Sequence, residues 1–158
     1  MSAPTRLLFV CLGNICRSPL AEGVFLHLVT EADLLDHYVI DSAGTSAYHV
    51  GERPDRRSIA VAQKHGVVLP SRARQVELAD YEAFDLLVAM DRSNHRDLLS
   101  DQPSAATARL VMLRDYDPAG PGDVPDPYYG GPRGFDDVYA MVERCSRRLL
   151  EELEADRA

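Results

Sequence analysis

Residues 7–18 read LLFVCLGNICRS, and this stretch decides the fold. Its first four residues form a continuous apolar run, which is typical of a strand buried on both faces of a parallel sheet. The sequence from Pro19 onward favours a helix, because proline suits the first helical position. Residues 11–18, here called the Cys11 loop, therefore lie at a turn from a strand to a helix. A helix that begins near Ser18 presents free NH groups and the positive end of its dipole to this loop, which favours a bound dianion such as phosphate.

Each polar residue of the Cys11 loop suits an anion site around a reactive thiol. Helix N-termini lower the pKa of a nearby cysteine from ~8.5 into the range ~3.5 to 7.5. Cys11 is therefore a candidate nucleophile at neutral pH. Gly13 lets the backbone turn so that successive NH groups point inward, and Asn14 tolerates positive φ. Arg17 offers a planar fork for two phosphate oxygens, while Ser18 is suited to cap the helix and donate its hydroxyl to the sulfur.

The Cys11 loop has two other interpretations. A buried strand cysteine followed by an ordinary helix cap is the commoner context for a free cysteine, but it leaves the full octet between strand and helix unexplained. A nucleotide-binding P-loop is excluded, because the sequence contains no GxxxxGK[ST].

The octet CLGNICRS, together with DPYYG at residues 126–130, resembles the low-molecular-weight protein tyrosine phosphatases. The resemblance covers nearly the whole chain, because three further segments fall in the order that this family has: DSAG at 41–44, ARQ at 73–75 and MDRSN at 90–94. It implies an enzyme that hydrolyses phosphotyrosine in proteins, and small aryl phosphates, through a cysteinyl-phosphate intermediate. The implied partner is a phosphotyrosine-containing protein or peptide, and no cofactor is implied.

Asp126 is the predicted general acid. It lies in the one long irregular stretch, residues 114–133, and irregular stretches of that length in compact domains are usually functional. The prolines on both sides of Asp126 restrict the backbone there, so the loop holds the carboxyl group with little flexibility. A carboxylic acid at this place would protonate the phenolate expelled when phosphate passes to Cys11. Tyr128 and Tyr129 follow and would stack on the substrate ring. The alternative interpretation of this segment is a solvent-exposed turn that contains an incidental aspartate.

Further roles come from the resemblance alone. Asn14 and Ser42 match a pair that keeps the phosphate loop preorganised, and Tyr48 matches an aromatic residue at the border of the cleft. Cys16 matches a second loop cysteine that forms a protective disulfide with Cys11 on oxidation. The predicted substrate- and phosphate-binding residues are Leu12, Gly13, Asn14, Ile15, Cys16, Ser18, Tyr48, Tyr128 and Tyr129, with Ser42 as loop support and Cys11, Arg17 and Asp126 as catalytic residues.

The sequence departs from the family pattern at Ser71, where many relatives carry a histidine that supports the asparagine. The network around Asn14 must therefore be built differently here. Asp91 is interpreted as a helix N-cap, and Cys145 as a core residue within the last helix. The five histidines have no zinc-ligand spacing, so no metal site is predicted.

Strand and helix signals alternate along the chain. We expect strands at 6–10, 38–41, 86–89 and 109–112, and helices at 19–32, 55–65, 78–84, 91–99 and 135–154. This alternation implies right-handed crossovers and a four-stranded parallel sheet with helices on both faces, a three-layer, flavodoxin-like α/β fold. The active site should lie at the carboxyl ends of the strands. A chain of 158 residues with 46% hydrophobic content is expected to form a single domain over residues 1–158.

Composition and net charge argue against several further classes of function. The formal net charge of -8 argues against nucleic-acid binding, and no apolar run approaches the ~18 residues that cross a membrane. The N-terminus has no signal-peptide pattern, and three cysteines suit a reducing compartment better than a disulfide scaffold. We therefore expect a cytoplasmic protein, a monomer or weak dimer, that binds neither nucleic acid nor membranes.

Three rival functions stay open. Protein-arginine phosphatases tend to carry threonine where this chain has Ile15, and they lack the tyrosine pair. Arsenate reductases of the same fold need two further thiols, and the sequence between Cys16 and Cys145 supplies none. A non-catalytic phosphotyrosine-binding module would not need Cys11 and Asp126 together.

Overall fold

A computed structural model describes residues 3–128, 130 and 132–157, with the backbone alone described at 132 and 133. The strands are β1 (Thr5–Cys11), β2 (Tyr38–Gly44), β3 (Leu86–Ala89) and β4 (Arg109–Met112). The α-helices are α1 (Arg17–Glu31), α2 (Arg56–Lys64), α3 (Asp80–Ala83), α4 (Arg92–Asp101) and α5 (Pro132–Arg157), and short 3-10 turns occupy Leu35–His37 and Leu113–Tyr116.

The four strands form one parallel sheet in the order β2-β1-β3-β4. β1 is central, and its five residues from Leu7 to Cys11 are all buried, as the continuous apolar run predicted. β1 pairs with β2 as far as Cys11 opposite Gly44. The predicted flavodoxin-like α/β fold is confirmed, and the Cys11 loop leaves the sheet at its carboxyl edge.

Side chains that alternate along β1 enter two different cores. Leu7 and Phe9 pack in the larger core beneath α1, α2 and α5, whereas Leu8 and Val10 pack in a smaller core with Tyr81 of α3 and with α4. Because both sheet faces are covered, the carboxyl edge is where functional side chains reach solvent.

Several predicted boundaries were wrong. α1 begins at Arg17 rather than 19, with Cys16 at its N-cap, so Ser18 lies inside the helix and does not cap it. β2 extends three residues beyond the predicted 38–41, because its pairing with β1 continues to the edge of the Cys11 loop. α3 is shorter than predicted, and α5 is longer than predicted at both ends.

Other expectations were correct. Asp55 caps α2 and Asp91 caps α4, each accepting a hydrogen bond from a backbone NH in the first turn. Cys145 is fully buried in the core. Among the helices of the described residues, none combines the length and apolarity required to cross a membrane.

Candidate active site

Carbonyl groups of the Cys11 loop point toward residues 45–58, which follow β2. Four carbonyl oxygens of the loop accept hydrogen bonds from this segment: Cys11 from Thr45 N at 2.9 Å, Leu12 from Ser46 N at 3.0 Å, Ile15 from Asp55 N at 2.7 Å and Cys16 from Ser58 Oγ at 3.3 Å. Within the described part of the chain, none of the amide NH groups of residues 12–16 donates to a protein acceptor. The loop therefore keeps a row of donors for a bound anion.

Backbone geometry explains two residue choices in the loop. Asn14 has φ 55, the left-handed conformation that the sequence predicted. Gly13 does not have positive φ. A Cβ atom at this position would lie 2.9 Å from Cδ2 of His49, so any larger residue would require the His49 ring to shift. Gly44 is under a stricter constraint, because a Cβ there would lie 2.7 Å from the Leu12 carbonyl oxygen, a backbone atom of the Cys11 loop.

A buried polar network surrounds the Cys11 thiol, which is 3% exposed. Its Sγ atom lies 3.0 Å from Ser18 Oγ. Asn14 Nδ2 donates to Ser18 Oγ at 2.8 Å and to Ser42 Oγ at 3.0 Å. The structure therefore brings Ser18, which sequence analysis placed at the sulfur, together with Asn14 and Ser42, which it placed as support for the loop.

Arg17 is buried at the base of the loop, with its side chain 3% exposed. Its Nη1 atom lies 2.6 Å from Asp91 Oδ2 and donates to the Val124 carbonyl at 3.0 Å. Burial alone would lower the pKa of Arg17, but the negative charges of Cys11, Asp91 and Asp126 raise it. The guanidinium thus stays charged in a fixed orientation.

The pairing of Asp91 with Arg17 was missed by sequence analysis, which recognised only the helix cap. Asp91 performs both tasks, because Oδ1 accepts the NH of Asn94 and Oδ2 accepts Arg17. The available signal was its place two residues after β3, at the sheet edge that carries the Cys11 loop.

Asp126 reaches the same site from the loop of residues 117–128, here called the Asp126 loop. One of its carboxylate oxygens lies 3.6 Å from Arg17 Nη2, and the other accepts the backbone NH of Tyr128 at 3.0 Å. Val124 anchors the loop to the sheet by donating its NH to the Met90 carbonyl at 2.8 Å.

The other two acids of the Asp126 loop are engaged elsewhere. Hydrogen bonds from Arg144 and Arg114 hold the pKa of Asp117 well below its usual range, although burial opposes this. Burial raises the pKa of Asp123, but its contacts with Arg92 outweigh this and lower it. Asp126 is therefore the acid of this loop that faces the thiol.

A cavity of about 320 Å³ opens above the sulfur. Its lining residues are Cys11, Leu12, Gly13, Ile15, Cys16, Arg17, Tyr48, His49, Asp126 and Tyr128. Tyr48 stands at the rim with 77% exposure. Ser18, Asn14 and Ser42 support the cavity from behind, and the predicted residue Tyr129 lies outside the described residues.

His49 is a cavity residue that sequence analysis missed. Its ring centroid lies 6.4 Å from that of Tyr128, and its Nδ1 atom lies 2.8 Å from Glu52 Oε2. Its position directly after Tyr48 was the only signal in the sequence. The guanidinium of Arg57 lies over the Tyr128 ring, 5.4 Å from its centroid.

Cys16 has a different environment from Cys11. Burial, together with the negative charges of Asp55, Cys11 and Asp126, raises the pKa of Cys16 to about 12. Both cysteines are free thiols. Within the described residues, no group of three or more His, Cys, Asp or Glu side chains could hold a metal ion.

Comparison with known proteins gives a consistent result. Residues 6–158 match the family described as "Low molecular weight phosphotyrosine protein phosphatase". The human protein of that name is 43% identical over 151 residues, covering 94% of this chain and 96% of the relative. Among solved structures, a protein tyrosine phosphatase from Entamoeba histolytica superposes with a TM-score of 0.92 at 38% identity, covering 98% of this chain and 99% of the other. A Drosophila arginine phosphatase superposes with a TM-score of 0.86 at 31% identity, covering 93% and 96%.

Proposed function

The chain belongs to the low molecular weight phosphotyrosine protein phosphatase family, and we propose that it hydrolyses phosphotyrosine in proteins through a cysteinyl-phosphate intermediate. One observation carries the proposal: Cys11, Arg17 and Asp126 line the same cavity, and the NH groups of residues 12–16 in the Cys11 loop donate to no acceptor among the described residues. A thiol, a fixed cation and a carboxyl group are the parts that two-step phosphoryl transfer needs.

In the first step, the NH groups of the Cys11 loop and Arg17 hold the phosphoryl oxygens. The Cys11 thiolate attacks phosphorus, and the bond from phosphorus to the phenolic oxygen breaks. Asp126 gives its proton to that oxygen as it leaves, so the products are the cysteinyl-phosphate and a neutral phenol. The donation from Ser18 stabilises the thiolate before the attack.

In the second step, a water molecule attacks the phosphorus of the cysteinyl-phosphate. Asp126, now a carboxylate, takes a proton from this water while the bond between sulfur and phosphorus breaks. Inorganic phosphate leaves and the Cys11 thiolate is restored. Arg17 faces the same oxygens throughout, because Asp91 and the Val124 carbonyl fix its guanidinium.

The depth and walls of the cavity favour an aromatic phosphate ester. The buried sulfur requires a long side chain, and phosphoserine is too short to bring its phosphorus within ~3 to 3.5 Å of it. Tyr128 and Tyr48 offer aromatic walls, and a stacked ring would gain ~0.5 to 1.5 kcal/mol. Ile15 adds an apolar contact. The substrate would be a phosphotyrosine protein or peptide, taken by the single domain that we expect over residues 1–158.

Protein-arginine phosphatase activity is the second candidate. The observation that favours it is the similarity to the Drosophila arginine phosphatase. Ile15 and Tyr128 in the cavity wall argue for a flat aromatic ring rather than a guanidinium.

Competing phosphopeptides that differ only in the phosphorylated residue would test the proposed substrate. We expect a higher kcat/KM for phosphotyrosine than for phosphoserine, phosphothreonine or phosphoarginine. If phosphoarginine gives the higher value, the second candidate is correct, and Ile15→Thr should then change little. Absence of turnover with every peptide would favour a phosphotyrosine-binding module instead.

A further inference from the structure

Glu22 is a buried carboxylate that the proposed reaction does not use. It lies on α1 one turn after Ser18 and is 3% exposed. Among the described residues, no arginine, lysine or histidine nitrogen lies within 4.0 Å of it; instead it accepts hydrogen bonds from two hydroxyl groups. Ser42 Oγ donates to Oε1 at 2.5 Å, and Ser71 Oγ donates to Oε2 at 2.6 Å.

The amide of Asn14 determines the direction of the hydrogen bonds in this network. The backbone NH of Arg74 donates to Asn14 Oδ1 at 3.1 Å, which places Nδ2 toward the two serines. An amide nitrogen can only donate, so Ser18 Oγ and Ser42 Oγ are both acceptors of Asn14. Each hydroxyl then has one hydrogen left to give to another atom.

Both remaining hydrogens have an anion within reach. Ser42 gives its hydrogen to the Glu22 carboxylate, and Ser18 can give its hydrogen to the Cys11 sulfur at 3.0 Å, which lies nearer than its other acceptor, the Ala43 carbonyl oxygen at 3.5 Å. We propose that Glu22 is a positioning residue for Cys11: by accepting the Ser42 hydroxyl it holds Asn14 in place, and Asn14 keeps Ser18 as the donor to the sulfur. The inference rests on the proposed function, in which Cys11 is the nucleophile.

Ser71 makes this support independent of the charge on Glu22. Burial raises the pKa of Glu22, and so does Asp41, while the hydroxyls of Ser42 and Ser71 and the charge of Arg74 lower it. When Glu22 is ionised, Ser71 donates to it. When Glu22 is protonated, the Ser71 hydroxyl can rotate and accept its proton, so Oε1 stays an acceptor for Ser42 in both forms.

Two variants separate this role from a general contribution to packing. Glu22→Leu removes the acceptor of Ser42, whereas Glu22→Gln keeps a carbonyl oxygen for Ser42 and an NH2 group for Ser71. We expect Glu22→Leu to weaken inorganic phosphate binding about tenfold, the scale of one lost buried hydrogen bond. It should also raise the pH midpoint of Cys11 alkylation by iodoacetamide by about half to one pH unit. Glu22→Gln should restore most of both properties.

Ser146→Ala is the matched control, because Ser146 is equally buried but lies in α5 and its hydroxyl has no partner among the described residues. It should leave both measurements unchanged. If Glu22→Leu does not fold, Ser42→Ala cuts the same chain of hydrogen bonds one residue later and should give the same two shifts. An unchanged alkylation midpoint in the folded Glu22→Leu protein, or in Ser42→Ala, would overturn the inference.

Neither measurement requires turnover, so the experiment distinguishes a failure of this inference from a failure of the proposed function. A chain without phosphatase activity whose Cys11 alkylation still shifts in Glu22→Leu would overturn only the function. An active enzyme whose alkylation midpoint is the same in both Glu22 variants and the unaltered protein would overturn only the positioning role.

Discussion

At the scale of single residues, the surrounding groups give two side chains of the same type different chemical properties. Asp117 and Asp123 are bound by arginines, and their pKa values are lowered, so they would be poor proton donors at neutral pH. Asp126 lies in the same loop but borders the Cys11 cavity. Cys11 and Cys16 also have different neighbours, because Cys11 lies against the Ser18 hydroxyl, whereas burial and nearby negative charges raise the pKa of Cys16 to about 12.

The role of Asp126 can be tested with phenols of different acidity. Asp126→Ala should slow hydrolysis by about 10² to 10⁴ for phenyl phosphates with poor leaving groups, and less for p-nitrophenyl phosphate, which needs little protonation. Asp123→Ala, an acid of the same loop paired with Arg92, is the control and should show no dependence on the leaving group. Equal slowing across all phenols in Asp126→Ala would move the general acid elsewhere.

The raised pKa of Cys16 orders the oxidation of the two cysteines. Because Cys16 remains a thiol until the pH approaches about 12, peroxide at neutral pH should oxidise Cys11 first. The resulting sulfenic acid should then condense with the Cys16 thiol, releasing water and forming a disulfide that dithiothreitol would reverse. Cys16→Ser should make the loss of activity irreversible. Peptide mapping of the oxidised protein that finds no bridge between Cys11 and Cys16 would remove Cys16 from this protection.

At the scale of elements, a buried ion cluster holds the Asp126 loop against α5. Both carboxylate oxygens of Asp117 accept hydrogen bonds from arginines, Arg114 at 2.9 Å and Arg144 at 2.9 and 3.0 Å. Arg114 also donates to the carbonyls of Gly120 and Asp123, so it closes the loop on itself. The position of Asp126 therefore depends on contacts with a helix far along the chain.

Asp117→Asn should destabilise the fold by about 2 kcal/mol at pH 7, the scale of charged hydrogen bonds lost at a buried site. The pKa of Asp117 is lowered in the folded state, so its contribution is present above the unfolded pKa of ~3.9 and is lost as the pH falls through the folded value. Urea unfolding at a series of pH values measures this directly. The difference between the two proteins should shrink in acid.

Asp136→Asn is the control for Asp117→Asn, because its pair with Lys64 is exposed and should contribute no more than about 1 kcal/mol. A difference in unfolding free energy that is equally small for Asp117→Asn would contradict the anchoring role of the cluster.

At the scale of the whole molecule, sequence patterns predicted the fold better than the contacts of the site. The apolar run of β1 and the alternation of strands with helices were sufficient for the parallel sheet, because these patterns follow directly from burial. The contacts of Glu22, His49 and the pair of Arg17 with Asp91 join residues between 20 and 74 positions apart or belong to irregular backbone. No local periodicity encodes such contacts.

The Cys11 loop also shows which features a sequence can predict and which it cannot. Its octet predicted the turn and the positive φ of Asn14, because these depend on local steric preferences. The close contact at Gly13 comes from His49, which a separate loop brings to the site. Ser18 is a further example, since it contacts the sulfur as predicted but lies within the helix rather than at its cap.

The central claim is that the Cys11 thiolate attacks phosphorus, and turnover of p-nitrophenyl phosphate by Cys11→Ser tests it most directly. The loop NH groups and Arg17 remain in this variant, so phosphate should still bind, as calorimetry with inorganic phosphate would verify. The account predicts that kcat falls to less than about a hundredth of the value for the unaltered protein, because no other group in the cavity replaces the thiolate. A folded, phosphate-binding Cys11→Ser protein that turns over faster than this would contradict it.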